Sequence, residues 1–266
     1  IYENAHKKYC LPFSEANLTD ANKEYLQKYL DVTKSQMFFA KGIIFVEGIS
    51  EAILLPEIAK ILDRPLEKYA VELVNVDSVA FSPFVNLFSS QNVQTCFSKV
   101  AIVTDDDRCT KKSETNYINK DFDYDDVNSD ISGKLLSGTP SERCNELETL
   151  CRAVGINVFK ATKTLEYALC CDENNIEYFI EAIKSEYSQL GPALEQKVNS
   201  LHDMNEKAAC VWLFIRAREK CKGAIAQYIS QIIKKQCEMR KRGENIEKEF
   251  VIPDYLKEAV YCVTER

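Results

Sequence analysis

The most constraining stretch of this 266-residue chain is Ile43-Ile44-Phe45-Val46-Glu47-Gly48-Ile49-Ser50-Glu51. An apolar run without polar alternation reads as a strand buried on both faces, which is the signature of a parallel sheet covered by helices. The run stops at a Glu-Gly turn, and Ser50 is placed to cap a helix whose positively polarised first turn holds Glu51. A second apolar run, Val100-Ala101-Ile102-Val103, ends in Thr104-Asp105-Asp106-Asp107. Two such strands separated by helical patterns commit the chain to an α/β fold. Open α/β sheets bind their ligands at the carboxyl ends of the strands, and that is where these acids fall.

The alternation continues over residues 41–171, which read as one domain. After the strand at 42–46, a helix carries Ile53, Leu54, Ile58, Ile61 and Leu62. A strand at 71–76 ends at Asp77-Ser78, and Phe84, Leu87 and Phe88 mark a short helix. The strand ending at Asp105, a helix over 140–153 and a strand over 156–161 complete the set. Residues 108–139 form a polar stretch with Asp121, Asp123, Asp125, Asp126 and Asp130, expected to be a mobile insertion because loops of that length are functional or disordered. Residues 1–40 read as a helical lead-in with a helix start at Leu18-Thr19-Asp20. From 172 to 266 the pattern is all-helical: Ile176, Phe179, Ile180 and Ile183 form one stripe, Ala209, Trp212 and Leu213 a second, Ile225, Tyr228, Ile229 and Ile232 a third, and Pro253 opens a last helix.

Charge and cysteine content narrow the function classes. The net charge of −7 argues against a surface that grips nucleic acid everywhere. Local basic clusters remain, Lys234, Lys235, Arg240, Lys241 and Arg242 in one place and Lys160 with Lys163 beside the acids, and such patches either hold phosphates or are solvated helix faces. Eleven cysteines without a C-x-x-C pair, with only His6 and His202 to assist, fit neither a zinc module nor a disulfide framework. Reduced thiols in a cytoplasmic protein are the expectation. No apolar run reaches the roughly 20 residues needed to span a bilayer. The first residue is Ile1 rather than Met, so a piece of a longer protein is expected.

The acids support a specific chemistry. Hard divalent cations such as Mg²⁺ and Mn²⁺ take oxygen ligands. Glu47 follows the first strand and Glu51 lies one helical turn on. Asp105 and Asp107, two apart at a strand end, converge on one region while Asp106 is directed elsewhere. The fourth strand leads into Thr162-Lys163-Thr164-Leu165-Glu166, adding a hydroxyl and a carboxylate. Taken singly, each acid reads as a helix cap or a solvated loop residue. Together, five would repel one another without one or two cations, and a metal pair is the usual device for phosphodiester cleavage.

The segments Phe38-Phe39-Ala40-Lys41-Gly42 through Glu51, Val74-Asn75-Val76-Asp77, Thr104-Asp105-Asp106-Asp107 and Thr164-Leu165-Glu166-Tyr167 resemble, in order and spacing, the Toprim domain of OLD-family (overcoming lysogenization defect) ATP-dependent endonucleases. The resemblance spans residues 36–170 and extends more loosely to Lys222-Gly223. It implies a Toprim-type parallel sheet flanked by helices, with an all-helical C-terminal region following. It implies that Glu47, Asp105 and Asp107 bind one divalent ion, that Glu51, Thr164 and Glu166 complete a second position, and that Lys222 is the cation facing the transition state. It further implies DNA as substrate, Mg²⁺ or Mn²⁺ as cofactor, a role in phage defence, a homodimer, and an N-terminal ABC-type ATPase in the parent chain; a G-x-x-x-x-G-K-[ST] loop does not occur here. Topoisomerase and primase Toprim domains are the competing enzymes, and a Toprim module that binds nucleic acid without cutting is the competing non-enzyme.

Overall fold

The computed structural model describes residues 2–4, 7–9, 13–30, 34–78, 80–88 and 99–265. His6 and parts of the 1–40 lead-in lie outside them. A short antiparallel hairpin, β1 (Tyr2–Asn4) and β2 (Lys7–Tyr9), and helix α1 (Asp20–Tyr29) come first. Thr19 caps α1 by accepting the Asn22 amide, as the sequence indicated.

Four parallel strands follow: β3 (Gly42–Val46), β4 (Val71–Asn75), β5 (Lys99–Asp105) and β6 (Asn157–Ala161). Their spatial order is β4-β3-β5-β6. From β3 the chain steps to β4 on one side, then returns to β5 on the other. That reversal makes the carboxyl ends of β3 and β5 a topological switch point, the crevice where such sheets bind ligands. Val46 is paired with Val103 there, so Glu47 and Thr104-Asp105 emerge side by side.

Both sheet faces are covered. Ile44, Val46, Ala101 and Val103 pack into one cluster with α2 (Ile49–Ile61), while Ile43, Phe45, Val100 and Ile102 pack on the other face with α1, α3 (Ser82–Leu87) and α5 (Glu142–Val154). Every residue of β3 is buried, which is why its sequence shows no alternation.

The 108–139 stretch carries secondary structure and an apolar side of its own. It holds a 3-10 turn at Tyr124–Asp126 and helix α4 (Ser129–Ser137), and buries Ile118, Tyr124, Val127, Ile131 and Leu135. Two of its aspartates have structural roles: Asp123 and Asp126 bond each other's backbone in a capping box, and Asp123 pairs with Arg218 at 2.8 Å. A correction concerns Ser50. Helix α2 starts two residues earlier, with Gly48 at the N-cap making no side-chain bond and Ser50 buried in the first turn.

The remaining helices are α6 (Leu165–Cys170), α7 (Glu173–Glu186), α8 (Leu190–Ser200), α9 (Met204–Arg216), α10 (Lys222–Arg242) and α11 (Asp254–Thr264). The third stripe continues through Ile233 and Cys237 rather than Ile232. These helices share a core with the sheet: α10 runs along α2, and α11 lies across β5 and β6. Periodicity shows which helix face is buried but not what buries it, so the return of α10 and α11 was not readable. Among the described residues no helix is long and apolar enough to cross a membrane.

Candidate functional site

The switch-point crevice collects the predicted acids. Glu47, just past β3, accepts the Thr104 hydroxyl from β5 at 2.6 Å. Asp105, the last residue of β5, accepts the Leu165 amide at 2.9 Å, tying the amino end of α6 to the strand. Glu51 in the first turn of α2 and Glu166 in the first turn of α6 are both 6 % exposed, unusual burial for carboxylates. Lys222, which opens α10, lies 3.8 Å from Glu166.

Asp106 takes the opposite direction. Its carboxylate is 2 % exposed and accepts the amides of Arg108 and Lys163, at 3.1 and 2.9 Å, and a two-nitrogen clasp from the Arg108 guanidinium. Asp107 then sits at φ 51°, a left-handed conformation that Asp tolerates better than most residues, and this returns its side chain to the crevice side.

Arg143 is the residue that sequence reasoning missed. From the first turn of α5 it donates to Asp107 at 2.6 Å and to the Asp105 carbonyl at 3.2 Å, and stands 3.7 Å from Glu47. Its second terminal nitrogen is buried without a hydrogen-bond partner among the described residues. Nothing in a lone arginine after a helix cap distinguishes it from a solvated one; only the Asp107 turn brings it in. Its neighbouring carboxylates push its pKa up against its burial.

Other basic residues fall elsewhere. Lys160 pairs with Glu148 at 2.6 Å. Lys163 turns inward, donating to the Arg108 carbonyl and the Thr110 hydroxyl and lying 5.2 Å above the Trp212 ring, with burial lowering its pKa. Neither is free to face a phosphate in the crevice. Thr164 caps α6 by accepting the Tyr167 amide. Asp77 is an exposed turn residue at the end of the edge strand β4.

The electrostatics follow from this crowding. Burial, then Glu166 and Glu47, raise Glu51 to about 7, with its own backbone amide and Lys222 acting the other way. Asp105 is raised well above the carboxylate range by burial and by Glu51, Glu166, Glu47 and Asp107. Lys222 is raised, chiefly by Glu166. Among the described residues no three of these side chains close on one point at metal-ligand spacing. The donor set is nonetheless all hard oxygen, and its mutual repulsion is the condition a divalent cation relieves.

A stability test follows. Glu51 titrates near its ordinary 4.5 when unfolded and near 7 when folded, so stability present below pH 4.5 is lost as pH rises through 7, by up to about 3 kcal/mol. In EDTA, urea unfolding between pH 4.5 and 8 should show this decline, and Glu51→Gln should make it shallower, leaving the part due to Asp105. An equal slope in both proteins would refute the assignment.

Known proteins share part of this chain's sequence and its fold. Residues 38–107 match the family described as Overcoming lysogenization defect protein-like, TOPRIM domain. The chain carries an OLD-like TOPRIM domain. The match holds β3, the β3–α2 turn and the Asp105–Asp107 turn, and stops short of Glu166 and Lys222. Endonuclease GajA of Bacillus cereus (strain HuB5-5) is 30% identical over 146 residues, 54% of this chain and 19% of GajA; the chain thus spans about a fifth of that relative's length. Two determinations of the C-terminal region of the Xanthomonas campestris pv. campestris OLD protein superpose with TM-scores of 0.51 and 0.50 at 20% and 21% identity. Each covers 86% of this chain, and 96% and 95% of the solved chain respectively. At that identity the likeness speaks for the fold, and it extends past the TOPRIM match into the helical region.

Proposed function

We propose that this OLD-like TOPRIM domain is a divalent-metal-dependent endonuclease domain that cleaves or nicks DNA. The observation that carries the reading is the set of five carboxylates crowded at the switch point, two of them with raised pKa, facing Arg143 and Lys222. Glu47, Asp105 and Asp107 would hold one Mg²⁺ or Mn²⁺; Glu51, Thr164 and Glu166 would hold a second. Such ions supply an activated water and stabilise the leaving oxygen of a phosphodiester. Thr104 holds the Glu47 carboxylate in place, and Leu165 does the same for Asp105. Arg143, one of whose terminal nitrogens has no partner among the described residues, would donate to an anionic phosphate oxygen. Lys222 balances Glu166 and offers the charge from the opposite helix.

DNA as the substrate is supported by the endonuclease name of the GajA relative and by the disposition of α10. That helix starts at Lys222 in the crevice and carries exposed Lys234, Lys235 and Lys241 about 18–29 Å further along, a span suited to phosphates away from the cut, while Arg242 pairs with Glu244 at 3.0 Å. Arg240 is instead engaged with Glu249 and the Ile61 carbonyl. By the same family reading, the parent protein joins this domain to an N-terminal ABC-type ATPase, dimerises and acts in the cytoplasm against phage.

The test is plasmid cleavage with Mg²⁺, Mn²⁺ or EDTA, using the wild type and Glu47→Ala. Metal-dependent cutting lost in the variant, with its circular dichroism unchanged, supports the reading. Retained metal-dependent binding of DNA without cutting would place the chain among non-cleaving modules. Cutting that survives the substitution would remove the site.

A further inference from the structure

Helix α11 crosses the sheet in a fixed direction. Its last turn meets the amino edge: a Cβ on Gly42, the first residue of β3, would lie 3.0 Å from the Val263 carbonyl. Asn157, which opens β6, donates to Cys262, and Lys99, which opens β5, donates to the Glu265 carbonyl. Three strand starts therefore sit under one helix end. The first turn of α11, about 15 Å away at 1.5 Å per residue, reaches the carboxyl edge, where the crevice lies. Tyr255 is in that turn. Its hydroxyl is buried with no hydrogen-bond partner among the described residues, and the charges around it are those of Asp105, Glu51 and Glu166.

A buried phenol is normally bonded, because stranding its hydroxyl is costly. Here a buried, unused donor stands at the carboxyl edge of the sheet, within the field of three mutually repelling carboxylates. We infer that Tyr255 is a positioning residue of the crevice, its phenol O–H held ready for a carboxylate of Asp105, Glu51 or Glu166 and orienting that carboxylate toward a divalent cation. The helical tail thereby completes the site from beneath the sheet edge. This rests on the metal reading proposed above. Ligating carboxylates are themselves held by hydrogen bonds, and loss of such a partner typically weakens metal binding about 10–100-fold.

The test compares the wild type with Tyr255→Phe, titrating each with Mn²⁺ by calorimetry and melting each in EDTA. Expected is a Mn²⁺ affinity weaker by about 10-fold with a metal-free melting temperature unchanged or higher, since phenylalanine keeps the ring and removes an unpaired hydroxyl. Equal Mn²⁺ affinity in the two proteins would reduce Tyr255 to packing and overturn the inference while leaving the metal reading intact. A lowered melting temperature in EDTA would mean the hydroxyl is bonded elsewhere, also against it. A wild type that binds no Mn²⁺ would instead remove the metal reading, and this inference with it.

Discussion

Asp105→Asn is expected to abolish metal-dependent cleavage and, at the same time, to stabilise the metal-free protein. Asparagine keeps the oxygen that accepts the Leu165 amide, so the joint between β5 and α6 survives. The negative charge is lost from the residue whose carboxylate is surrounded by Glu51, Glu166, Glu47 and Asp107. That removes a charge whose burial and crowding the folded state resists, and the urea midpoint in EDTA at neutral pH should rise. Cleavage should fall by at least about 10²–10³-fold, the scale for losing one group that stabilises charge in a transition state. Added Mn²⁺ should raise the wild-type melting temperature by mass action and move the variant far less. Opposite signs for stability and activity are the signature of a residue kept for chemistry. A variant that loses both together would mean that Asp105 is structural.

What could be read in advance divides along physical lines. The parallel sheet was readable because burial on both faces leaves β3 and the Val100–Val103 run of β5 continuously apolar. The crevice was readable because acids at strand ends follow from topology, and Glu47, Glu51, Asp105, Asp107 and Glu166 do face one edge. Contacts set by tertiary return were not. Arg143 reaches the acids only because Asp107 turns at positive φ. Tyr255 arrives on the last helix, 150 residues after Asp105, by a path that periodicity does not encode. In the 108–139 segment the polar surface hides an apolar side: Asp123 and Asp126 close a capping box and Asp123 pairs with Arg218, while Tyr124, Ile131 and Leu135 are buried. Lys163 misled, a lysine beside an acidic cluster that is spent on backbone oxygen and the Trp212 face.

Asp106→Ala should do the opposite of Asp105→Asn, one residue away. The Asp106 carboxylate holds the Arg108 guanidinium, at 2.6 Å from its nearest nitrogen, and the amides of Arg108 and Lys163. Arg108 keeps only its bond to the Leu135 carbonyl once the acid is gone, and its side chain is 14% exposed. Breaking a buried pair by removing one partner leaves an uncompensated charge, worth about 3–5 kcal/mol, and two backbone donors lose their acceptor as well. The Lys163 amide is the anchor of the loop that carries Thr164 and Glu166, itself turned at φ 65° at Lys163. Urea unfolding should therefore register a loss of at least about 3 kcal/mol. Mn²⁺ should not restore it, because Asp106 points away from the crevice. Asp106→Asn keeps an acceptor but not the charge, and should fall between. Three consecutive aspartates would then separate by sign: Asp105 destabilising without metal, Asp106 essential to the fold, and Asp107 dispensable to stability beyond its single bond to Arg143. A mild effect at Asp106 would mean that the turn is held by its backbone bonds to Ala161 and Ser141 instead of by the ion pair.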